Sequence, residues 1–132
     1  MDWRSQFSSI WHIDFEYQED ANHLPIPICL YCFEEHTGRS ISLWRYELLK
    51  LDRAPFDTGP SSLIVAYASN AELGCFLSLN WSFPHNVLDI YVETIVAING
   101  DTRIWPPAPE PGQKKRKGRQ GLLCMCSASH RA

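Results

Sequence analysis

Residues 10–17 read IWHIDFEY, a run of β-branched and aromatic side chains that is typical of a β-strand. Successive side chains of a strand point to opposite faces of the sheet. The face that carries the charged side chains comprises Ile10, His12, Asp14 and Glu16, and the other face comprises Trp11, Ile13, Phe15 and Tyr17. We therefore expect a strand that buries an aromatic face in the core and has two carboxylates on its other face.

The segments that follow predict two more strands that form a meander with the first. Residues 28–33, ICLYCF, have the composition of a strand, and residues 40–44 form a shorter strand after the turn sequence HTGR at 36–39. Gly38 supplies the permissive backbone that a tight turn needs. Because the connections are short, we expect antiparallel pairing.

The rest of the first 100 residues alternates strands with helices. Residues 63–67, LIVAY, form a continuous apolar run that is typical of a strand buried on both faces. A helix is predicted for residues 70–81, another buried strand for 87–90 and a second helix for 91–98. Three meandering strands followed by β-α-β-α predict an α/β fold with a mixed sheet and helices on its faces.

Residues 106–132 have a different character, because a proline-dense stretch is followed by a basic run. They contain six Lys or Arg and one acid, hence a charge of +5, and since the whole chain carries −3, residues 1–105 carry −8. We expect one domain over residues 1–105 and an irregular tail over 106–132. The acidic domain suits a site that binds divalent cations before phosphate, because a bound metal reverses the local charge.

Composition excludes several classes of protein. A hydrophobic fraction of 45% is typical of a globular protein, and no apolar run approaches the roughly 18 residues that a membrane span needs. The N-terminus lacks the pattern of a secretory signal, and the five cysteines are an odd number, which favours reduced thiols. We expect a soluble cytoplasmic protein with no membrane partner.

Asp14 and Glu16 are the most informative residues. Two neighbouring carboxylates on one face of a strand repel each other, and both lose hydration if the face is covered. A divalent cation would remove both costs, because hard cations prefer carboxylate oxygens. The alternative is that both acids lie on the solvent face of an edge strand.

An ordered set of segments carries a family resemblance: HIDFEY (12–17), PIPICL (25–30), FDTGP (56–60), VAY (65–67), AELGCF (71–76) and VLDI (87–90). Together they resemble the 3′–5′ exonuclease, or proofreading, domains of family-A DNA polymerases, especially phage-like ones. The resemblance covers residues 8–100. It implies a ribonuclease-H-like mixed sheet, built from the meander and the β-α-β-α segment.

The resemblance also implies a site. Asp14, Glu16 and Glu72 match the metal-binding catalytic carboxylates, which hold two Mg²⁺ or Mn²⁺ ions. Asp89 would not bind the ions itself but would support the residues that do, or be a structural acid. The implied reaction is hydrolysis of single-stranded DNA or RNA from its 3′ end, in association with a polymerase domain or subunit. For Glu72 the alternative is an ordinary acid in the first turn of a helix, where the helix dipole favours it.

The third motif of that family has no match after residue 100. That motif places a Tyr or His ahead of an Asp on a later helix, whereas here the last acid is Glu110 and no acid follows His130. We therefore expect a domain that is incomplete at its C-terminus and has little or no activity, because one metal ligand and the general base are missing.

Two other functions remain open. Cys29 and Cys32, with Cys124, Cys126 and His130, could form a zinc-binding module, although cysteines three apart on a strand point to opposite faces. The basic residues Lys114, Lys115, Arg116 and Lys117 could bind nucleic-acid phosphates in a non-catalytic binding or scaffold protein. The alternative for these basic residues is a solvated tail that binds nothing.

Overall fold

The computed structural model describes residues 2–99 and Asp101. A short 3-10 helix at Trp3–Gln6 precedes the sheet. The strands are β1 (Ser9–Glu19), β2 (Pro25–Glu34), β3 (Ser40–Trp44), β4 (Ser62–Ala66) and β5 (Val87–Asp89), and the α-helices are α1 (Arg45–Leu48), α2 (Ser69–Ser78) and α3 (Ile90–Ile98). The predicted α/β class and order of elements are confirmed, and all five strands belong to one sheet.

The strand order is β3-β2-β1-β4-β5, with β1 at the centre. β1, β2 and β3 pair antiparallel, as the meander predicts, whereas β4 is parallel to β1 and β5 is parallel to β4. Pairing between β1 and β4 ends at His12 and Val65, but β1 continues to Glu19. The second half of β1 therefore has a strand neighbour on one side and α2 near the other.

The main hydrophobic core lies on the face of β1 that carries Trp11, Ile13 and Phe15. Phe76 of α2 packs edge-on against Phe15, with ring centroids 6.2 Å apart, and Trp81 packs against Phe76 at 5.3 Å. Edge-to-face contacts of this kind add to the stabilisation from burial. They fix α2 against the second half of β1.

The opposite face of β1 has a smaller apolar cluster at its start and charged side chains further along. Ile10 is buried with Leu63 and Val65, whereas His12, Asp14 and Glu16 are exposed. The predicted alternation along β1 is therefore confirmed for residues 10–16.

Three local predictions were wrong. Tyr17 was expected in the core but is 37% exposed, because a register shift between Glu16 and Tyr17 reorients the end of β1. The strand at 87–90 was expected to be buried. Val87 is exposed, because β5 lies at the edge of the sheet and, among the described strands, has β4 as its one neighbour. α2 ends at Ser78 rather than residue 81, because Asn80 adopts a left-handed conformation with φ of 57°.

Glu34, at the end of β2, is a buried acid that sequence inspection did not single out. One carboxylate oxygen accepts hydrogen bonds from the backbone N–H groups of Ile10 (3.0 Å) and His36 (3.1 Å), and the other accepts from the N–H and hydroxyl of Thr37 (both 2.7 Å). Burial by itself raises the pKa of Glu34, but these donors lower it to about 2. The carboxylate thus joins the start of β1 to the β2–β3 turn.

Within the described part of the chain, no helix is long and apolar enough to cross a membrane. The sheet belongs to the compact unit Met1–Ala97. The predicted domain boundary at residue 105 and the predicted tail over 106–132 lie outside the described residues.

We predict that Glu34→Gln lowers the free energy of unfolding by about 2 kcal/mol at pH 7, because the amide leaves donors without an acceptor. Chemical denaturation with matched samples measures this difference. Glu35→Gln is the control, since Glu35 pairs with Arg4 and His12 at the surface, and its removal should cost less than about 1 kcal/mol.

The same comparison has a defined pH dependence. A carboxyl group whose pKa is depressed by folding stabilises the fold above its unfolded pKa, and this contribution is lost as the pH falls through the folded pKa. The difference between Glu34→Gln and the unmodified protein should therefore shrink from pH 4.5 towards pH 2. A difference that stays constant over that range would contradict the assignment.

Candidate metal centre

The central strand carries the first two acids of the candidate site. Asp14 and Glu16 both lie on the exposed face of β1. Across the antiparallel pairing, Asp14 lies opposite Tyr31 and Glu16 lies opposite Cys29. β1 is the central strand, but beyond His12 it no longer pairs with β4, and both acids are exposed to solvent, as the solvent-face alternative also expects.

The third acid, Glu72, comes from the first turn of α2 and is only 5% exposed. Its Oε2 accepts a hydrogen bond of 3.0 Å from the backbone N–H of Phe15, the residue between Asp14 and Glu16. This N–H lies beyond the last residue of β1 that pairs with β4. A side-chain carboxylate from α2 thus takes the place of a strand neighbour.

Asp89, at the end of β5, positions α2 and α3. Its carboxylate accepts hydrogen bonds from the N–H groups of Ala68 and Ser69 at the start of α2, and from those of Tyr91 and Val92 at the start of α3. Partial burial raises the pKa of Asp89, but the hydrogen bonds from the Ser69 hydroxyl and from the N–H groups of Ser69, Val92 and Ala68 lower it overall. Asp89 is therefore a capping residue that holds the beginning of the helix on which Glu72 lies.

Electrostatics link the three predicted acids. Burial is the main cause that raises the pKa of Glu72, the N–H of Phe15 opposes it, and the negative charges of Asp14 and Glu16 raise it further, to about 8. Glu72 therefore holds a proton at neutral pH when no cation is near. Burial of the Cys32 and Cys75 thiols, and to a smaller extent the negative charge of Glu72, raise the pKa values of both thiols to about 12.

The three carboxylates do not form a ready ligand cluster. Among residues 2–99 and Asp101, no group of three or more His, Cys, Asp or Glu side chains is arranged to hold a metal ion. Asp14 and Glu16 leave the strand on its exposed face, whereas the Glu72 carboxylate is bound to the backbone between them. The donor chemistry fits a hard divalent cation, but Glu72 would have to lose its proton and turn.

The cysteines of the predicted zinc module do not converge in the described part of the chain. Cys29 is half-buried on the side of Glu16, whereas Cys32 is fully buried in the main core beside Ile13. The strand geometry therefore separates them, as expected. The other predicted ligands, Cys124, Cys126 and His130, lie outside the described residues, and so do the basic residues Lys114, Lys115, Arg116 and Lys117.

Sequence inspection missed the backbone of Phe15 as part of the site, because no residue type indicates that an N–H lacks a strand partner. It also missed a cleft near Arg39 and Arg53, which are far apart in sequence.

Comparison with protein-family models, with curated proteins and with solved structures found no match.

We predict that Glu72→Gln stabilises the protein at high pH. Glutamine keeps an oxygen acceptor for the N–H of Phe15 but cannot ionise. Folding raises the pKa of Glu72 to about 8. The contribution of its protonated carboxyl group to stability is therefore fully present below the unfolded pKa and is lost as the pH rises through 8. The melting temperature of Glu72→Gln relative to the unmodified protein should therefore rise between pH 5 and pH 9.

Glu93→Gln, on the exposed surface of α3, is the matched control and should show no such trend. If both variants follow the unmodified protein at every pH, Glu72 is ionised without cost and its proposed environment is wrong.

Proposed function

We propose that residues 1–105 form a metal-dependent 3′–5′ exonuclease domain with a ribonuclease-H-like fold, of the type found with family-A DNA polymerases. The substrate is the 3′ end of single-stranded DNA or RNA. The observation that carries this proposal is the hydrogen bond from Phe15 to Glu72, because it holds a third acid beside two others on the central strand.

The topology supports this proposal. A meander is followed by two strands parallel to β1, and β4 separates from β1 after His12. This separation leaves the carboxyl-terminal half of β1 beside the beginning of α2. Sites in α/β sheets are commonly found near the carboxyl ends of parallel strands.

The electrostatics also support it. Buried acids with strongly raised pKa values, next to other acids, are concentrated at functional sites. A structural acid would gain nothing from two further carboxylates nearby, which destabilise its charged form. Glu34 provides the contrast, since its donors satisfy its charge and lower its pKa.

In this proposal Asp14 and Glu16 would hold Mg²⁺ or Mn²⁺, and Glu72 would join them once its carboxyl proton is released to solvent. Enzymes of this class use two such ions, which activate water and stabilise the leaving 3′ oxygen. Glu72 must exchange its bond with the N–H of Phe15 for the ion. We therefore expect the ion to bind weakly. Asp89 keeps α2 in position, and Glu72 with it.

Activity should be low in this chain, since residues 100–132 contain no match to the third motif of the family. The basic residues Lys114, Lys115, Arg116 and Lys117 would contact phosphates and supply the positive charge that the domain lacks. A non-catalytic nucleic-acid-binding or scaffold protein is the second candidate. The lack of an assembled three-ligand group among the described residues favours it.

Binding of paramagnetic Mn²⁺ distinguishes the metal-dependent exonuclease from the non-catalytic binding or scaffold protein. We predict that micromolar Mn²⁺ selectively broadens the backbone amide resonances of Phe15 and its neighbours, and that excess Mg²⁺ reverses the effect. Asp14→Asn should weaken Mn²⁺ binding by about tenfold or more, because it removes a charged ligand. Glu19→Gln removes a carboxylate near the end of the same strand and should leave binding unchanged.

Broadening that is equal in Asp14→Asn and in the unmodified chain would rule out the metal centre. If Mn²⁺ binds at Asp14 but a 5′-labelled single strand is not shortened from its 3′ end at high protein concentration, the chain is a metal-binding, non-catalytic protein. Shortening that is abolished by Asp14→Asn supports the exonuclease.

A further inference from the structure

The first three strands have a solvent-exposed side on the opposite face from the main core. Because side chains alternate along a strand, every second residue of β1, β2 and β3 lies on this side. Cross-strand neighbours there form three rows: His12, Phe33 and Ser40; Asp14, Tyr31 and Ser42; and Glu16, Cys29 and Trp44. All are exposed except Cys29, which is half-buried. We call these three rows the open face.

The open face carries three aromatic rings that the main core does not use. Trp44 is 58% exposed, Tyr31 is 52% exposed and Phe33 is 36% exposed. Trp44 follows the β3 partner of Tyr31 by two residues, and such diagonal neighbours lie about 7–8 Å apart, within reach of aromatic side chains. A single exposed apolar residue is ordinary, whereas a contiguous exposed group with a polar rim is typical of a binding surface.

Charged side chains at the two ends of the open face neutralise one another. At the end where β1 begins, Glu35 accepts a hydrogen bond of 2.8 Å from Arg4 and lies 2.9 Å from the ring of His12. At the other end, Arg45 and Glu47 of α1 carry opposite charges. Neither end therefore adds a net charge to the open face.

The centre of the open face is negative. Within residues 2–99 and Asp101, Asp14 and Glu16 form no ion pair and their carboxylates accept no hydrogen bond. Asp14 lies directly opposite Tyr31. Two uncompensated carboxylates beside exposed rings attract a cation, because the face of an aromatic ring is also the negative side of its quadrupole. The partner that complements this face is therefore positively charged.

We propose that the open face binds an arginine-rich segment of another protein. A planar guanidinium stacks on an aromatic ring and donates to a carboxylate at the same time, which a lysine ammonium does less well. A guanidinium over the ring of Tyr31 would lie beside the carboxylate of Asp14. A nucleic acid, or the open face of a second copy, would instead bring negative charge against Asp14 and Glu16. The proposal goes beyond exonuclease activity, although a metal ion at the same two acids would compete with the segment.

Titration calorimetry with two synthetic peptides, hexa-arginine amide and hexalysine amide, tests the open face. The peptides carry the same charge, so attraction to the acidic domain alone would bind them equally, whereas stacking on exposed rings favours arginine. We expect the full chain to bind hexa-arginine about tenfold more tightly than hexalysine at about 0.15 M salt. Changing Tyr31 and Trp44 together to alanine should remove most of that preference.

Single variants separate the rings from the acids. Tyr31→Ala and Trp44→Ala should each weaken hexa-arginine binding about threefold, as expected for loss of one exposed cation–π contact. Phe83→Ala, which removes an exposed ring outside the three strands, is their control and should change little. Asp14→Asn should weaken binding of both peptides several-fold, whereas Glu93→Gln, which removes the same charge from α3, should not.

The proposal is overturned if the folded Tyr31→Ala and Trp44→Ala variants bind hexa-arginine as tightly as the unmodified chain, or if Phe83→Ala weakens binding equally. Both rings are exposed, so the two variants should keep the melting temperature of the unmodified chain. If one of them unfolds, the other variant, together with Glu16→Gln, decides the outcome.

Other occupants of the open face would give different results, and each would contradict the proposal. A short single-stranded DNA that binds in the presence of chelator and loses affinity in the double alanine variant would show that the rings stack on bases. If hexa-arginine binds only after Lys114, Lys115, Arg116 and Lys117 are changed to glutamine, the chain's own basic residues compete for the face. Mn²⁺ needs the acids but not the rings, so its binding should be unchanged in the double alanine variant, and the two sites are tested separately.

Discussion

The hydrogen bond from the N–H of Phe15 to the carboxylate of Glu72 joins the fold to the candidate site. It fills the gap that β4 leaves when it separates from β1 after His12. A buried N–H without an acceptor is costly, so α2 must bring an acceptor to this point. Because that acceptor is an acid rather than an amide, the structure places a titratable group beside Asp14 and Glu16.

The burial of Glu72 beside two other carboxylates by itself lowers the stability of the fold. Burial and two nearby carboxylates raise the pKa of Glu72, so the charged form is disfavoured at neutral pH. Glu34 shows that this chain can bury an acid without such a cost, since four donors surround its oxygens. The difference between the two acids is the physical reason why we propose a functional role for Glu72 and assign a structural one to Glu34.

Much of the fold could be predicted from the periodicity of hydrophobic and polar residues. Residues 10–16 alternate as expected, and β3 occupies the predicted residues 40–44. Tyr17 could not be predicted, because a register shift depends on how β2 pairs with β1. The end of α2 depends on Asn80 adopting a left-handed conformation, which its sequence context only weakly favours.

The candidate site was less accessible to sequence reasoning. Asp14 and Glu16 are conspicuous because they are adjacent on one strand face, and Glu72 was reached through a family resemblance rather than through its own neighbourhood. Its contact with Phe15 depends on where β4 stops pairing, which is a tertiary property. The most direct measurement is a ¹³C-carboxyl NMR titration of Glu72. A midpoint near pH 8 that falls when Asp14 and Glu16 are both changed to amides, and falls again with saturating Mg²⁺, is the result we predict. A midpoint at the ordinary value of 4.5, insensitive to both changes, would contradict the account.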